Sequence, residues 1–354
     1  MPDDRDSASL THEQEQPAPE GPAQAEAAAV SVPLDFSGAC PVLAVDEEGL
    51  PVDPSRFADL LIAHSFGDAA VPLPSAGVAR QVMLETLRAH HRIAGRPKRR
   101  HLIVCAGAGD VPLPPEFAGD AEVSRVPDDM VAIGGEIGPR TAGILVSPVR
   151  LSAGLEMLPG SFLADLREAA DEYGLVLAFD ETDGGLGRTG MAFSHEWTGV
   201  TPDLMLLRPE AGLGVAALVL TAKLARALPA RRPEVDEATR AGAAEALAQA
   251  FAPGFEGRVQ ALGWQLEDRL ATLRYRRADL FEAHVGTGLM QGLVCRREAA
   301  DLAQRLATTG LLVRPLGNVL AFLPPLAVDE GGIDAAARML EQAVAELEPV
   351  PVGA

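Results

Sequence analysis

A strand-like run, Leu175 to Phe179, leads directly into Asp180-Glu181-Thr182-Asp183-Gly184-Gly185-Leu186-Gly187-Arg188-Thr189-Gly190. Open α/β sheets place their ligands at the carboxyl ends of strands, so Asp180 stands where a carboxylate can meet a ligand. Asp180, Glu181 and Asp183 together can also offer oxygen ligands to Mg²⁺. The simpler reading is a repulsive trio, relieved by protonation of one member or by pairing with an arginine such as Arg188. An acid that closes a strand and caps the next turn is also common in proteins with no ligand there.

Other residues with chemical potential carry less. Gly107-Ala108-Gly109 follows a strand that ends at Cys105, but the third glycine of a dinucleotide loop is Pro112 and no helix follows, so it reads as a turn. His90, His91, His101 and His195 lack metal-ligand spacing, and Cys105 and Cys295 lack a catalytic partner; these read as core or surface residues. Only two lysines occur in 354 residues, Lys98 in the basic loop Arg96 to Arg100 and Lys223 at the start of a helix. Both read as solvated surface groups.

The elements around Asp180 follow an α/β rhythm. An apolar helical pattern spans Phe57 to Ile62. Ser75 is placed to cap a second helix running to about His91, with Val78, Val82, Leu84 and Leu87 on or near its buried side. His101 to Cys105 and Ala142 to Val149 are apolar strands, and the Gly/Pro-dense segment Ala106 to Asp129 between them reads as a loop. Phe162 to Tyr173 is an amphipathic helix ended by Gly174, and the strand into Asp180 follows. Such alternation means parallel crossover units. Leu204 to Leu207 and Ala216 to Thr221 are two more strands, then helices cover Ala238 to Phe251 and Val259 to Leu273. From Gly288 the pattern becomes a smaller α+β unit: Gly288 to Val294, Glu298 to Thr308, Leu311 to Arg314, Val319 to Phe322 and Ile333 to Leu347. Three parts are expected: a disordered acidic tail over 1–32, a large α/β domain over 33–255 and a small domain over 256–350, divided near Pro253-Gly254.

Bulk properties set limits. With 47% hydrophobic and 23% charged residues, the chain can bury a large core. A formal charge of -20 argues against nucleic acid and anionic membranes as partners, though plain solubility accounts for it as well. Three scattered cysteines suit neither a disulfide framework nor a zinc cluster and fit a reducing cytoplasm. No apolar stretch reaches the roughly 18 residues of a membrane span, and the acidic N-terminus does not resemble a signal peptide.

The run from Leu166 through Glu181, then Gly185-Leu186-Gly187-Arg188-Thr189-Gly190, His195-Glu196-Trp197 and Gly199-Val200-Thr201-Pro202-Asp203, resembles class III aminotransferases, with the acetylornithine and ornithine branch most similar. Ser147-Pro148-Val149 sits where that family has Glu-Pro-Ile. Gly288-Leu289-Met290 and Leu323-Pro324-Pro325-Leu326 resemble its C-terminal part. The resemblance covers roughly residue 35 to the C-terminus and is firm after residue 140. It implies a fold-type I transferase architecture, with a large, mostly parallel-sheet domain and a smaller α+β domain. It also implies pyridoxal phosphate as cofactor, with Asp180 on its pyridine nitrogen, and active sites at a dimer interface.

Against that family, this chain keeps the carboxylate at Asp180 and departs at the other expected cofactor and substrate contacts. The Schiff-base lysine position is Pro209, within Leu207-Arg208-Pro209-Glu210-Ala211-Gly212-Leu213-Gly214, and a slip of one residue offers only Arg208, whose guanidinium stays protonated. Ser75-Ala76-Gly77-Val78-Ala79 replaces the phosphate-binding Ser-Gly-Ala-Glu-Ala turn, so Ser75 and Gly77 serve either as an anion cradle or as an ordinary helix cap. Gly109-Asp110-Val111 replaces the aromatic element that stacks on the ring. Asp183 replaces a glutamine near the cofactor's phenolate oxygen, and Ala321 replaces the arginine that grips a substrate carboxylate. The loop that reaches the neighbouring subunit's phosphate has no counterpart in Arg231 to Gly242. Asp180, Ser75, Gly77 and Asp183 are therefore the candidate residues of a vestigial cofactor pocket, with no catalytic residue and no metal site.

Two readings follow. One is a non-catalytic pseudoenzyme, as a cytoplasmic homodimer or as a heterodimer with an active aminotransferase paralogue. The other is an enzyme that holds pyridoxal phosphate non-covalently, or uses another ligand, and acts on a small amino acid or amine. A small-anion or metal-binding module is a weaker third. Pro209→Lys alone is predicted not to restore turnover, because the substrate-gripping and ring-stacking residues are also gone. Measurable transamination by that single variant in an amino-donor assay would contradict this.

Overall fold

The computed structural model describes residues 34–38, 53, 55–107, 113–152, 154–208, 214–345 and 347–348. The expected tail, Cys40, Gly109-Asp110-Val111 and Pro209 lie outside the described residues. In chain order, β1 (Leu34–Phe36), α1 (Arg56–Ala63), β2 (Ala69–Leu73), α2 (Ala76–Ile93), β3 (His101–Cys105), β4 (Val123–Val126), α3 (Met130–Glu136) and β5 (Thr141–Val146) come first. A hairpin of β6 (Val149–Arg150) and β7 (Glu156–Met157) leads to α4 (Gly160–Tyr173), β8 (Val176–Glu181), β9 (Leu204–Leu207), β10 (Ala216–Leu220), α5 (Ala222–Ala225), α6 (Glu237–Ala250) and α7 (Phe255–Arg276). The rest is β11 (Phe281–Thr287), β12 (Met290–Cys295), α8 (Ala299–Thr308), β13 (Leu311–Leu316), β14 (Val319–Phe322) and α9 (Glu330–Ala345).

Seven strands form one sheet in the order β2-β10-β9-β8-β5-β3-β4. The five from β9 to β4 are parallel, and β10 runs against both its neighbours. Every residue of β5, β8, β9 and β10 is buried, as expected of strands covered on both faces. Strand parity decides what each face carries. Val176 and Ala178 pack with Met83 and Leu87 of α2, whereas Leu177 and Phe179 pack with Leu163 and Leu166 of α4. Continuing that alternation, Asp180 emerges on the α2 side and Glu181 on the opposite one.

The helices end where the sequence signals them. Ser75 accepts from Val78 N at 3.2 Å to start α2, and Gly174, at φ 61°, closes α4 in the left-handed conformation.

The second sheet has the order β1-β13-β14-β12-β11. Its outer strand β1 comes from the start of the described chain and pairs parallel to β13, so this sheet draws on both ends of the sequence. A continuous apolar core, with Phe193, Leu207 and Val219 from one side and Phe281, Leu293 and Phe322 from the other, lies between the sheets. The loop after β8 is held against the second sheet at Gly288. A Cβ there would meet the carbonyl oxygen of Arg188 at 2.6 Å, and Leu289 N donates to that same oxygen at 2.9 Å. Gln291 Nε2 clamps the turn from behind, donating to the carbonyls of Gly263 and Gly288 at 2.7 Å each.

Sequence patterns missed six strands, the two of the β6–β7 hairpin and four in the larger sheets. β4 lies inside the segment expected to be loop; its Val-Ser-Arg-Val occupies an edge and shows no apolar run. β1 has three residues, β2 contains Pro72 at the other edge, and β11 carries Glu282, His284 and Gly286. The expected strand at Gly288 begins at Met290, because Gly288-Leu289 is the turn out of β11.

Candidate functional site

Asp180, at the carboxyl end of β8, is buried and fully engaged. Its Oδ2 accepts from Arg80 Nε at 2.8 Å, and its Oδ1 accepts from Thr182 N at 3.1 Å and Thr182 Oγ1 at 2.6 Å. Arg80 Nη2 donates to Thr182 Oγ1 at 3.2 Å, closing a compact ring of bonds, and Glu116 lies 3.8 Å from Arg80 Nη1. Burial alone would favour a neutral Arg80, but Asp180, Glu116 and Asp183 outweigh it and hold the guanidinium above its usual range. Within the trio of acids, Asp180 is thus paired with Arg80, not with Arg188. Arg188 instead donates to the carbonyl of Pro324 at 2.6 Å, and its burial, with Arg208 nearby, pushes it down to about 10.

The Arg80–Asp180 pair lines a cavity of about 300 Å³, together with Cys105, Arg150, Thr182 and Asp183. Arg150 is tied to Asp128 by both its Nη atoms, to Glu156 Oε2 at 3.3 Å and to the carbonyl of Cys105 at 3.2 Å. The Cys105 thiol is pushed up to about 12, first by burial and then by Asp128, and stays protonated. Asp183 is partly buried. Its Oδ2 accepts from Leu151 N at 3.0 Å, and burial, then the charge of Asp180, raises its carboxyl above the usual range despite Arg208 and Arg314.

The four candidate residues separate into two pairs. Asp180 and Asp183 share the cavity wall. Ser75 is exposed and bonded to its own helix, and Gly77 faces Glu116; neither lines the cavity. Glu181 turns away, as its parity requires, and is consumed by Ser194 N, His195 N and His195 Nδ1 at 2.5, 2.8 and 2.7 Å. Lys223 pairs with Asp203 at 2.8 Å with most of its side chain exposed, and Lys98 is exposed. Arg80 and Arg150 were not singled out by sequence. The available signal for Arg80 was a charge on the stripe of Leu84 and Leu87, four and seven residues on.

Pyridoxal phosphate can be tested against this lining. A protonated pyridine nitrogen would need an oxygen of Asp180, but Oδ1 already accepts two bonds, and Oδ2 accepts from a guanidinium that supplies the positive charge the ring nitrogen would bring. The described lining contains no aromatic face and no lysine. These residues do not fit the cofactor in the manner the resemblance implies. Among the described residues no group of three or more His, Cys, Asp or Glu is placed to hold a metal, and no helix is long and apolar enough to cross a membrane.

Comparison with known proteins gives consistent likenesses. The model of the family described as aminotransferase class-III matches residues 111–344. Acetylornithine aminotransferase 1 of Bradyrhizobium diazoefficiens is 34% identical over 83% of this chain and 78% of its own. The acetylornithine aminotransferase of Rhodobacter capsulatus is 31% identical over 84% of this chain and 81% of its own. Among solved structures, the ornithine aminotransferase of Toxoplasma gondii superposes with a TM-score of 0.74 at 20% identity, covering 86% of this chain and 78% of that one. The N-acetylornithine aminotransferase of Stenotrophomonas maltophilia gives 0.71 at 24% identity, covering 86% and 81%. The α/β, fold-type I architecture expected from sequence is the fold found.

Two outcomes are expected from the site. Arg80→Met leaves the Asp180 carboxylate without its cation and should cost about 1–3 kcal/mol in denaturant unfolding; unchanged stability would contradict the pairing. Because the Asp183 carboxyl is raised, the folded state holds its proton more tightly than the unfolded chain, so its contribution to stability falls as pH rises from about 4 through the raised value. Asp183→Asn should therefore raise the melting temperature at pH 7 and lose that advantage near pH 4. An advantage independent of pH would contradict this reading.

Proposed function

The chain belongs to the class III aminotransferase family, and we propose that it is a member without transaminase activity, a pseudoenzyme acting as a dimeric binding or regulatory subunit. The observation that carries this reading is the closed bonding of Asp180 by Arg80 and Thr182. The carboxylate at the family's ring-nitrogen position has found an internal cation. Proline at position 209 and the surface placement of Lys98 and Lys223 point the same way, since a Schiff base requires a neutral amine that reaches the cavity.

The core argues that the scaffold has a use. Both faces of the central sheet are packed with apolar side chains, and the loop after β8 retains its tight junction with Gly288. An interaction role preserves such a scaffold without preserving its chemistry. We place the protein in the cytoplasm, as a homodimer or as a heterodimer with an active paralogue.

Purified protein supplied with pyridoxal phosphate, 2-oxoglutarate and amino donors, including N-acetylornithine and ornithine, should show no turnover above a cofactor-only control. Light scattering should report a dimer, alone or after mixing with a paralogue. Enzyme-dependent turnover would defeat the reading as a pseudoenzyme, and a chain that stays monomeric under both conditions would defeat the subunit role.

A further inference from the structure

On the far side of Thr182 and Asp183 from the main cavity lies a smaller one of about 40 Å³, whose lining includes Asp183, Arg188, Arg208 and Arg314. Three guanidinium groups and one carboxylate meet there, in a chain whose formal charge is -20. They come from separate parts of the fold: Arg188 from the loop after β8, Arg208 from the residue after β9, and Arg314 from the middle of β13. The register places Arg314 directly across from Ala321 of β14, so the neighbour on the same face is a single methyl group and leaves the space open.

The three cations differ in what they have left to bind. Arg188 is buried and spends its donors on the carbonyls of Pro324 and Leu289, so it contributes fixed charge. Arg208 and Arg314 make no hydrogen bond or ion pair with any described residue, yet each acts electrostatically on Asp183. Arg208 is half-buried and Arg314 exposed, so both heads are open to a ligand from solvent, and paired guanidinium forks match the oxygens of carboxylate and phosphate.

We propose that Arg208 and Arg314, backed by the fixed charge of Arg188, form a receptor for the oxyanion group, carboxylate or phosphate, of a small ligand. The space holds about three water-sized groups, enough for such an oxyanion and too little for a heterocycle. Thr182 and Asp183 line both cavities, so the oxyanion receptor adjoins the 300 Å³ cavity beside Arg80. Asp183 opposes the anion by charge and sets its affinity. The inference goes beyond the pseudoenzyme reading and does not depend on it.

The test uses the full chain and calorimetric titration with sodium phosphate and, separately, sodium succinate, at constant ionic strength held with chloride. Wild-type protein should bind at least one of them saturably; phosphate alone, succinate alone or both would assign the oxyanion. Arg208→Ala and Arg314→Ala should each weaken the dissociation constant about tenfold, whereas Asp183→Asn should tighten it. Circular dichroism checks that each variant folds, and Arg208→Gln and Arg314→Gln replace any alanine variant that does not. Absence of saturable binding by wild type, or binding that the arginine variants leave unchanged, would overturn the proposal.

Discussion

The ion pair between Arg80 and Asp180 is the interaction on which the rest of the site depends. Asp180 is fixed by the parity of β8, and Arg80 by the stripe of α2 that packs on the same face of the sheet. Once these elements pack, the two charges are brought together away from bulk water. A buried carboxylate without its cation would be costly, so the pair is required for the fold as built. The same bond removes the free carboxylate that a pyridine ring would use. On the proposed reading, the bond that stabilises the scaffold is also the one that competes with a cofactor's ring nitrogen.

Much of this was legible in sequence. The buried strands, the cap at Ser75, the stop at Gly174 and the motifs from Leu166 to Asp203 all located the α/β core, because apolar runs and glycine punctuation report burial and chain reversal directly. Edge strands were not legible: β2 is interrupted by Pro72, and β4 carries Ser124 and Arg125 between its two valines. Nor was the partner of Asp180. Arg80 lies a hundred residues upstream, and only the packing of α2 on the sheet joins them. Arg188, close in sequence, looked the better candidate, but the positive-φ glycines at 185 and 187 belong to a loop that carries it towards Pro324.

Charge in the site is gathered around Asp180 and Asp183, with Arg80, Arg150, Arg208 and Arg314 in the lining of two adjoining cavities. The main cavity takes only the strand-end residues Val104, Cys105, Leu145 and Val146 from the apolar faces of the sheet, so most of the packing that stabilises the scaffold lies elsewhere. What remains beside Asp183 is a polar cleft suited to recognising an anion.

The most direct test of the account is to mix the purified chain with pyridoxal phosphate, reduce with borohydride and map adducts by mass spectrometry. With Asp180 held by Arg80 and both lysines at the surface, the account predicts no cofactor-bound absorbance band and no stoichiometric adduct at either lysine. A saturable band with a single fixed adduct at Lys98 or Lys223 would contradict it.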